Sequence, residues 1–413
     1  MPILYNLGVK LYFITIYLAA FFNKKARLWI NGRQDQAILT GLPCIWFHFA
    51  SLGEFEQGRP VLEKMRELYP GKKITITFFS PSGYEIRKNT PLADHVYYLP
   101  LDTAQNARKF IDTIKPEMAV FTKYEYWYHF YKELHRRDIP LYIISGIFRP
   151  DQIFFNWFGG LHRKILSFVT RFFVQDEQSK YLLQNINITN VTISGDTRFD
   201  RVWANAQQPK PLPDIAEFKN GQKVFIAGST WPQDEELIAE LIKDHPGWKF
   251  IIAPHEISEE KITQLVSLLP ENSTIRYSLL TTHYSPLTTR YSTLTTLIID
   301  NIGMLSSLYQ YGDIAYIGGG FSAGIHNTLE AAAFGLPVIF GPNYEKFKEA
   351  KDLISLNAGF SINNEAELKQ IAGKLINDEE YCKNAGLQAK KYVEGHVGAT
   401  ETIIDFIKPG INN

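Results

Sequence analysis

Apolar residues along this chain recur as short unbroken runs separated by amphipathic stretches. Cys44–Phe49, Lys73–Phe79, Val96–Leu99, Met118–Thr122, Leu141–Ser145 and Arg171–Gln175 read as strands buried on both faces. Helical patterns at Pro60–Leu68 and Asn106–Ile114 lie between them, the second stopped by Pro116. A second series starts after Gln207–Pro213, a proline-rich stretch that reads as a linker. Its strands are Lys223–Ala227, Lys249–Ala253, Thr296–Ile299, Ile314–Ile317 and Pro337–Phe340. Ser278–Thr296, rich in Thr and Ser, reads as a variable surface loop. Asp378–Ile407 has helical periodicity and is expected to cross back to the first domain. The alternation predicts an α/β protein built from doubly wound parallel sheets. The expected layout is a helix over 1–30, α/β domains over 31–205 and 214–390, and a returning C-terminal helix over 391–413. Two such domains imply a ligand cleft.

The amino terminus changes this picture. Ile3–Phe22 runs for twenty residues with one charge, Lys10, and is followed by Lys24, Lys25 and Arg27. That length can cross a bilayer, with the basic flank kept cytoplasmic. Lys10, Asn6 and several tyrosines equally suit a helix lying in the interface. Net charge is zero but uneven. Residues 1–200 hold 25 Lys+Arg against 18 Asp+Glu, so the remainder of the 43 and 43 carries 18 against 25. The basic half suits an anionic surface or acceptor. Cys44 and Cys382 lie far apart, so neither a disulfide framework nor a metal-ligand spacing is present, and a reducing compartment fits. No nucleic-acid partner, metal or cofactor is expected.

Candidate chemistry sits at the carboxyl ends of the predicted strands. Gly318, Gly319, Gly320 and Gly324 follow the Ile314–Ile317 strand, and His326, Asn327 and Glu330 follow them. Glycines there let an anion approach backbone N–H groups, at the place where open α/β sheets bind ligands. The same residues also fit a plain helix start, with Asn327 as cap and Glu330 as its partner. Gly228, Ser229 and Thr230 after one strand, and Pro254 and His255 after the next, extend this candidate phosphate site. In the first domain Ser51 and Gly53 shape a turn that carries Glu54, a candidate general base or simply an acid favouring the helix dipole. Glu125 leaves the Met118–Thr122 strand beside Tyr126 and Trp127, aromatics that suit a sugar face. There is no GxGxxG or P-loop.

Several of these motifs stand in one order and spacing: Ser51-Leu-Gly-Glu54 with Arg59-Pro60, Glu125 with Trp127, Ser194 through Arg198 to Asp200, Gly228–Thr230, Gly318 through His326 and Asn327 to Glu330, and Phe340-Gly341-Pro342. In them the chain resembles the 3-deoxy-D-manno-oct-2-ulosonic acid (Kdo) transferases of lipopolysaccharide synthesis, from the N-terminal apolar segment to about residue 400. The resemblance implies a GT-B glycosyltransferase with two facing Rossmann-like domains and a membrane-associated helix, at the cytoplasmic face of the inner membrane. It implies transfer of Kdo from CMP-Kdo to a lipid A precursor (lipid IVA), with inversion and no catalytic metal. It makes Glu54 the base and Glu125 a second carboxylate for the acceptor. Ser51, Gly53 and Arg59 would line the acceptor side, with Arg198 meeting an anionic group. Gly228, Ser229, Thr230, Pro254, His255, Gly318, Gly319, Gly320, His326 and Asn327 would hold the donor, and Glu330 the ribose. The alternative is a related two-domain glycosyltransferase using a UDP-sugar. The chain departs from the pattern beside His255, where relatives commonly carry an arginine, and at Lys123, where they commonly carry an acid. The number of Kdo units added is not set by these residues.

Overall fold

The computed structural model describes residues 2–34, 36–39, 41, 43–123, 125–280 and 293–408, so residues 281–292 of the Thr- and Ser-rich stretch lie outside the described residues. The chain packs as two units, residues 1–201 with 397–413, and residues 202–396. The first unit is built on strands β1 (Cys44–Phe49), β2 (Lys73–Phe78), β3 (His95–Tyr98), β4 (Pro116–Thr122), β5 (Leu141–Gly146), β6 (Arg171–Val174) and β7 (Val191–Ile193). They pair in parallel in the order β3-β2-β1-β4-β5-β6-β7.

Side chains alternate across this sheet, as a strand period of two requires. Ile45, Phe47 and Phe49 join one core with Ile74, Ile76, Phe78, Val120 and Ile144. Cys44 and Trp46 point the other way, among Phe110, Phe121, Phe130 and Ile143. His48 shares their side of the strand and is fully buried.

Helix α3 (Leu52–Leu68) starts eight residues before the predicted Pro60 and runs through that proline. The proline removes one backbone hydrogen bond. Burial of Phe55, Val61, Leu62 and Met65 against the sheet outweighs that loss. At Gly58 any Cβ would fall 2.6 Å from the Phe49 ring and 2.7 Å from Thr122 Oγ1. Glycine there lets the helix lie directly on β1 and β4. The predicted C-terminal helix is two, Glu379–Glu394 and Ala399–Ile407, parted around Gly398 at φ +111°. The second belongs to the first unit and buries Ile403, Ile404 and Ile407 in the core containing Ile45. Asp200 caps it, accepting from the N–H groups of Gly398 and Thr400 at 2.6 Å each.

At the amino terminus α1 (Pro2–Ala19) and α2 (Lys24–Gln34) meet at 119°. No single helix among the described residues is long and apolar enough to cross a membrane. Tyr5, Val9, Phe13 and Ile16 are the half-buried stripe of α1. Ile3, Leu4, Leu7, Leu11, Ile14 and Leu18 are exposed. A polar latch holds the helix down: the Tyr5 hydroxyl donates to Asp102, and Asn6 Oδ1 lies 2.6 Å from His129 Nε2.

The second unit contains β8 (Val224–Thr230), β9 (Lys249–Pro254), β10 (Thr274–Arg276), β11 (Thr296–Ile298), β12 (Ile314–Ile317), β13 (Val338–Phe340) and β14 (Gly359–Ser361). Its order is β10-β11-β9-β8-β12-β13-β14, again parallel throughout. Phe225, Ala227, Phe250, Ile252, Ile314 and Tyr316 pack one face. The three strands with no counterpart in the sequence reading, β7, β10 and β14, are three-residue edge strands. Val191-Thr-Ile193, Thr274-Ile-Arg276 and Gly359-Phe-Ser361 carry no unbroken apolar run, unlike the equally short β11 and β13, which overlap Leu297-Ile-Ile299 and Val338-Ile-Phe340.

The latch on α1 has a pH signature. Burial pushes the Asp102 carboxyl up to about 6, against hydrogen bonds from Tyr5, His129 and Phe130 that favour its charged form. The unfolded carboxyl titrates near 4. Between those values the folded chain keeps a proton that the unfolded chain releases, so stability from this group falls as pH rises from about 4 to about 6. Denaturant unfolding at both ends of that window should show a loss on the order of 2–3 kcal/mol that is absent in Asp102→Asn.

Candidate active site

In both sheets the strand order reverses beside the first strand of the unit, at β1/β4 and at β8/β12. Connections leaving two such neighbours run to opposite faces, which opens a crevice at their carboxyl ends. Glu54 follows β1 and Glu125 follows β4. Gly228–Thr230 close β8, and Gly318–Gly320 follow β12.

In the first unit Ser51 is the N-cap position of α3, and its hydroxyl donates to the Glu54 carboxylate. Glu54 is half-buried in the first turn, and Gly53 beside it is exposed. Glu125 is held differently. Its carboxylate accepts from Trp127 Nε1 at 2.9 Å and lies 3.2 Å from His48 Nε2. The other His48 nitrogen lies 2.8 Å from the Thr77 hydroxyl, so the ring is fixed at both ends. No hydrogen bond joins Glu54 to Glu125 among the described residues. An apolar cavity of about 420 Å³ lies next to Trp127, lined also by Tyr126, Phe79, Leu101 and the α1 residues Tyr5, Gly8, Val9 and Tyr12.

Arg198 is brought to α3 by Asp196. The buried Asp196 accepts from Gln57 Nε2 at 2.8 Å, one turn beyond Glu54, and from Arg198 Nε at 2.8 Å. Burial opposes charge on Asp196, but the charges of Arg198 and Lys123 and the Arg198 hydrogen bonds hold its carboxyl below the usual range. Arg59 is not part of this group. It pairs with Glu63 at 2.7 Å and Glu56 at 3.5 Å, in a network that also includes Arg87 and Arg201. Five helical residues place it about 140° around α3 from Glu54.

In the second unit the backbone turns sharply at both strand ends. Ser229 sits at φ +55°, where β8 slips register against β9. Gly319 sits at φ +92°. A Cβ on Gly228 would fall 2.2 Å from the Tyr309 hydroxyl, and one on Gly320 2.5 Å from the Gly341 backbone. Burial, then the nearby Glu330 charge, push the Tyr309 phenol well above its usual range.

Some of the expected anion donors are already engaged. The Gly319 N–H donates to Asp234 Oδ2 at 2.9 Å, as does the Trp231 N–H. The Thr230 hydroxyl donates to Glu235 at 2.9 Å. The helix after the glycine cluster is only Leu329–Ala333, so His326 and Asn327 precede it and Glu330 lies in its first turn. The N-cap position is Thr328, not Asn327 as the sequence suggests. Asn327 lies one residue earlier and forms a local turn, accepting from the Leu329 N–H at 3.1 Å and donating to Glu330 at 3.2 Å. Three rings stack above the glycines: Trp231 on His255 at 4.7 Å, and His255 on His326 at 4.6 Å. Pro254 ends β9 and hands the chain to His255, whose N–H donates to Thr230 O.

Comparison with known proteins shows what this chain is similar to. Residues 22–201 match the family model described as 3-deoxy-D-manno-octulosonic-acid transferase (kdotransferase). The 3-deoxy-D-manno-octulosonic acid transferase of Chlamydophila psittaci is 27% identical over 348 residues, 82% of this chain and 78% of its own length. That of Rickettsia bellii is 27% identical over 403 residues, covering 94% and 93%. The chain is a relative of the Kdo transferases, and a glycosyltransferase. Among solved structures, the UDP-GlcNAc 2-epimerase of Neisseria meningitidis aligns at a TM-score of 0.62, with 15% identity over 88% of this chain and 99% of that one. MurG of Acinetobacter baumannii aligns at 0.53, with 12% identity over 89% and 100%. These likenesses show the GT-B type of fold.

Four residues bonded to these candidate groups were not read from sequence: His48, Gln57, Trp231 and Asp234. His48 lies inside an apolar run, where a histidine looks like core. Gln57 and Trp231 belong to no pattern. Asp234 had one available signal, since an acid three residues after an N-cap position can close a capping box. Here it makes only the half of that box open to it, accepting from the Trp231 N–H because an indole cannot accept in return, and its other oxygen accepts from Tyr316 at 2.6 Å.

Close approach of backbones makes the glycine cluster intolerant. A Cβ on Gly318 would fall 2.3 Å from Ser229 O and 2.6 Å from Thr230 Cα, both main-chain atoms. Gly318→Ala should lower unfolding stability by about 3 kcal/mol, read by thermal or denaturant unfolding. Gly53→Ala, whose Cβ would meet nothing closer than Ser51 Oγ at 3.7 Å, should change it by less than about 1 kcal/mol.

Proposed function

We propose that this glycosyltransferase moves Kdo from CMP-Kdo to a lipid A precursor such as lipid IVA, inverting the anomeric centre without a catalytic metal. The observation that carries the reading is Glu54, held by the Ser51 hydroxyl at the carboxyl end of β1, where the sheet opens. Glu54 takes the proton of the acceptor hydroxyl. The hydroxyl oxygen bonds to the anomeric carbon while the bond from that carbon to the phosphate oxygen breaks, and CMP leaves with the electron pair. The transition state resembles an oxocarbenium ion. Arg198, braced by Asp196, supplies positive charge for an anionic group of the acceptor. Glu125 and Trp127 meet the acceptor sugar, and the apolar cavity beside Trp127 suits its non-polar part. In the second unit the positive end of the helix Pro232–Asp244, Ser229 and His326 stabilise the leaving phosphate. Glu330 accepts from the ribose hydroxyls.

The same reading puts α1 at the cytoplasmic face of the inner membrane. Its exposed stripe of Ile3, Leu4, Leu7, Leu11, Ile14 and Leu18 supports an interfacial attachment, as does Trp157, 90% exposed on the same unit.

Two experiments test these assignments. Glu54→Gln should keep CMP affinity and lower kcat about 10²- to 10⁴-fold, measured by mass spectrometry of the product made from CMP-Kdo and lipid IVA. Near-normal turnover would remove Glu54 as the base, and calorimetric preference for UDP over CMP would overturn the donor. Leu7→Glu with Leu11→Glu, both at exposed positions, should shift the protein from membrane to soluble fractions with little loss of thermal stability.

A further inference from the structure

Trp231 Nε1 lies 3.2 Å from His326 Nε2. An indole N–H donates and never accepts. The imidazole nitrogen facing it must therefore carry a lone pair, and the proton of neutral His326 sits on Nδ1. The surroundings repeat the constraint. A Cβ built on Gly319 would lie 3.0 Å from His326 Cδ2 and 3.3 Å from Nε2, so that ring edge is turned toward the glycine loop. His255 covers a ring face, 28° from parallel, and itself stacks on Trp231. Asp234 braces both walls at once, since one oxygen takes the N–H groups of Trp231 and Gly319.

We propose that Trp231 is a positioning residue that locks His326 in its Nδ1-protonated form and so presents a neutral N–H to the anionic group of the donor. This rests on the assignment of the donor phosphate to the second unit. A neutral donor differs from an imidazolium in a useful way. It binds the phosphate with direction, and its contribution does not vary with pH through the range where histidine normally titrates. Protonating His326 would set an N–H on Nε2 against the indole N–H. The charged groups around the ring act in the same sense: burial and then the charge of His255 lower the His326 pKa. Asp234 lies behind the Trp231 and Gly319 N–H groups, and it is buried and pushed toward its neutral form by burial.

The test uses the full chain labelled with ¹⁵N-histidine, with His326→Gln identifying one resonance pair among ten histidines. Long-range ¹H–¹⁵N correlation at neutral pH should show His326 protonated on Nδ1. Trp231→Phe keeps an aromatic ring on His255 but removes the donor. In that variant the tautomer should shift toward Nε2–H, CMP binding at pH 7.5 should weaken about three- to tenfold, and KM for the donor should rise with kcat little changed. Relative to the native protein at each pH, its affinity should recover as pH falls toward 6, because the freed nitrogen can take a proton, the comparison at each pH cancelling the titration of the CMP phosphate itself. An Nε2-protonated His326 in the native protein overturns the proposal, as does Trp231→Phe with unchanged tautomer and CMP affinity. Unchanged CMP affinity in His326→Gln overturns instead the donor contact on which the proposal rests.

Discussion

A parallel sheet whose strand order reverses leaves one place that its own helices do not cover. Connections before the reversal pack on one face and those after it pack on the other. Each unit of this protein has one such point, at β1/β4 and β8/β12, and every candidate catalytic or donor group follows one of those strands or the strands beside them. Glu54 and Glu125 flank the first, and the Gly228–Thr230 and Gly318–Gly320 turns flank the second. The helices can pack tightly elsewhere because Gly58 has no side chain to hold α3 off Phe49 and Thr122.

Close approach has a polar cost that the protein meets internally. Bringing the Gly318 backbone against Ser229 and Thr230 buries N–H groups that need acceptors. Asp234 supplies them, taking two N–H groups on one oxygen and a tyrosine hydroxyl on the other. The consequence for chemistry is that fewer main-chain donors face a phosphate than a glycine count suggests. The anion must rely more on side chains and on the helix Pro232–Asp244, which is why the orientation of His326 matters. The first unit uses the same device. Gln57 and Arg198 meet on Asp196, and through it the start of one helix is tied to the middle of another.

The α1 helix shows how one segment can carry opposite surfaces. Twenty mostly apolar residues read as a span or an interfacial helix by composition alone. In the fold, Tyr5 and Asn6 are engaged by Asp102 and His129, which fixes one stripe on the body and leaves the other exposed. The carboxylate holding the latch is among the most buried in the chain, so docking of the helix is coupled to a titration.

The sequence by itself determined the α/β alternation, eleven of the fourteen strands, and the residues Glu54, Glu125, Arg198, His326 and Glu330 as candidates. It could do so because buried parallel strands are nearly continuous apolar runs, and because reactive residues stand just after them. The three-residue edge strands, the helix running through Pro60 and the break at Gly398 were decided by tertiary packing, which overrides local propensity when enough apolar surface is buried. Only the folded chain decided which polar groups are engaged by the protein itself. Arg59 is drawn into a surface ion network, Gly319 and Thr230 turn inward, and Trp231 and His48 become partners of site residues 95 and 77 positions away. Hydrogen bonds of that separation have no local signature, since neither partner's neighbours along the chain reveal what the sheet will place beside it.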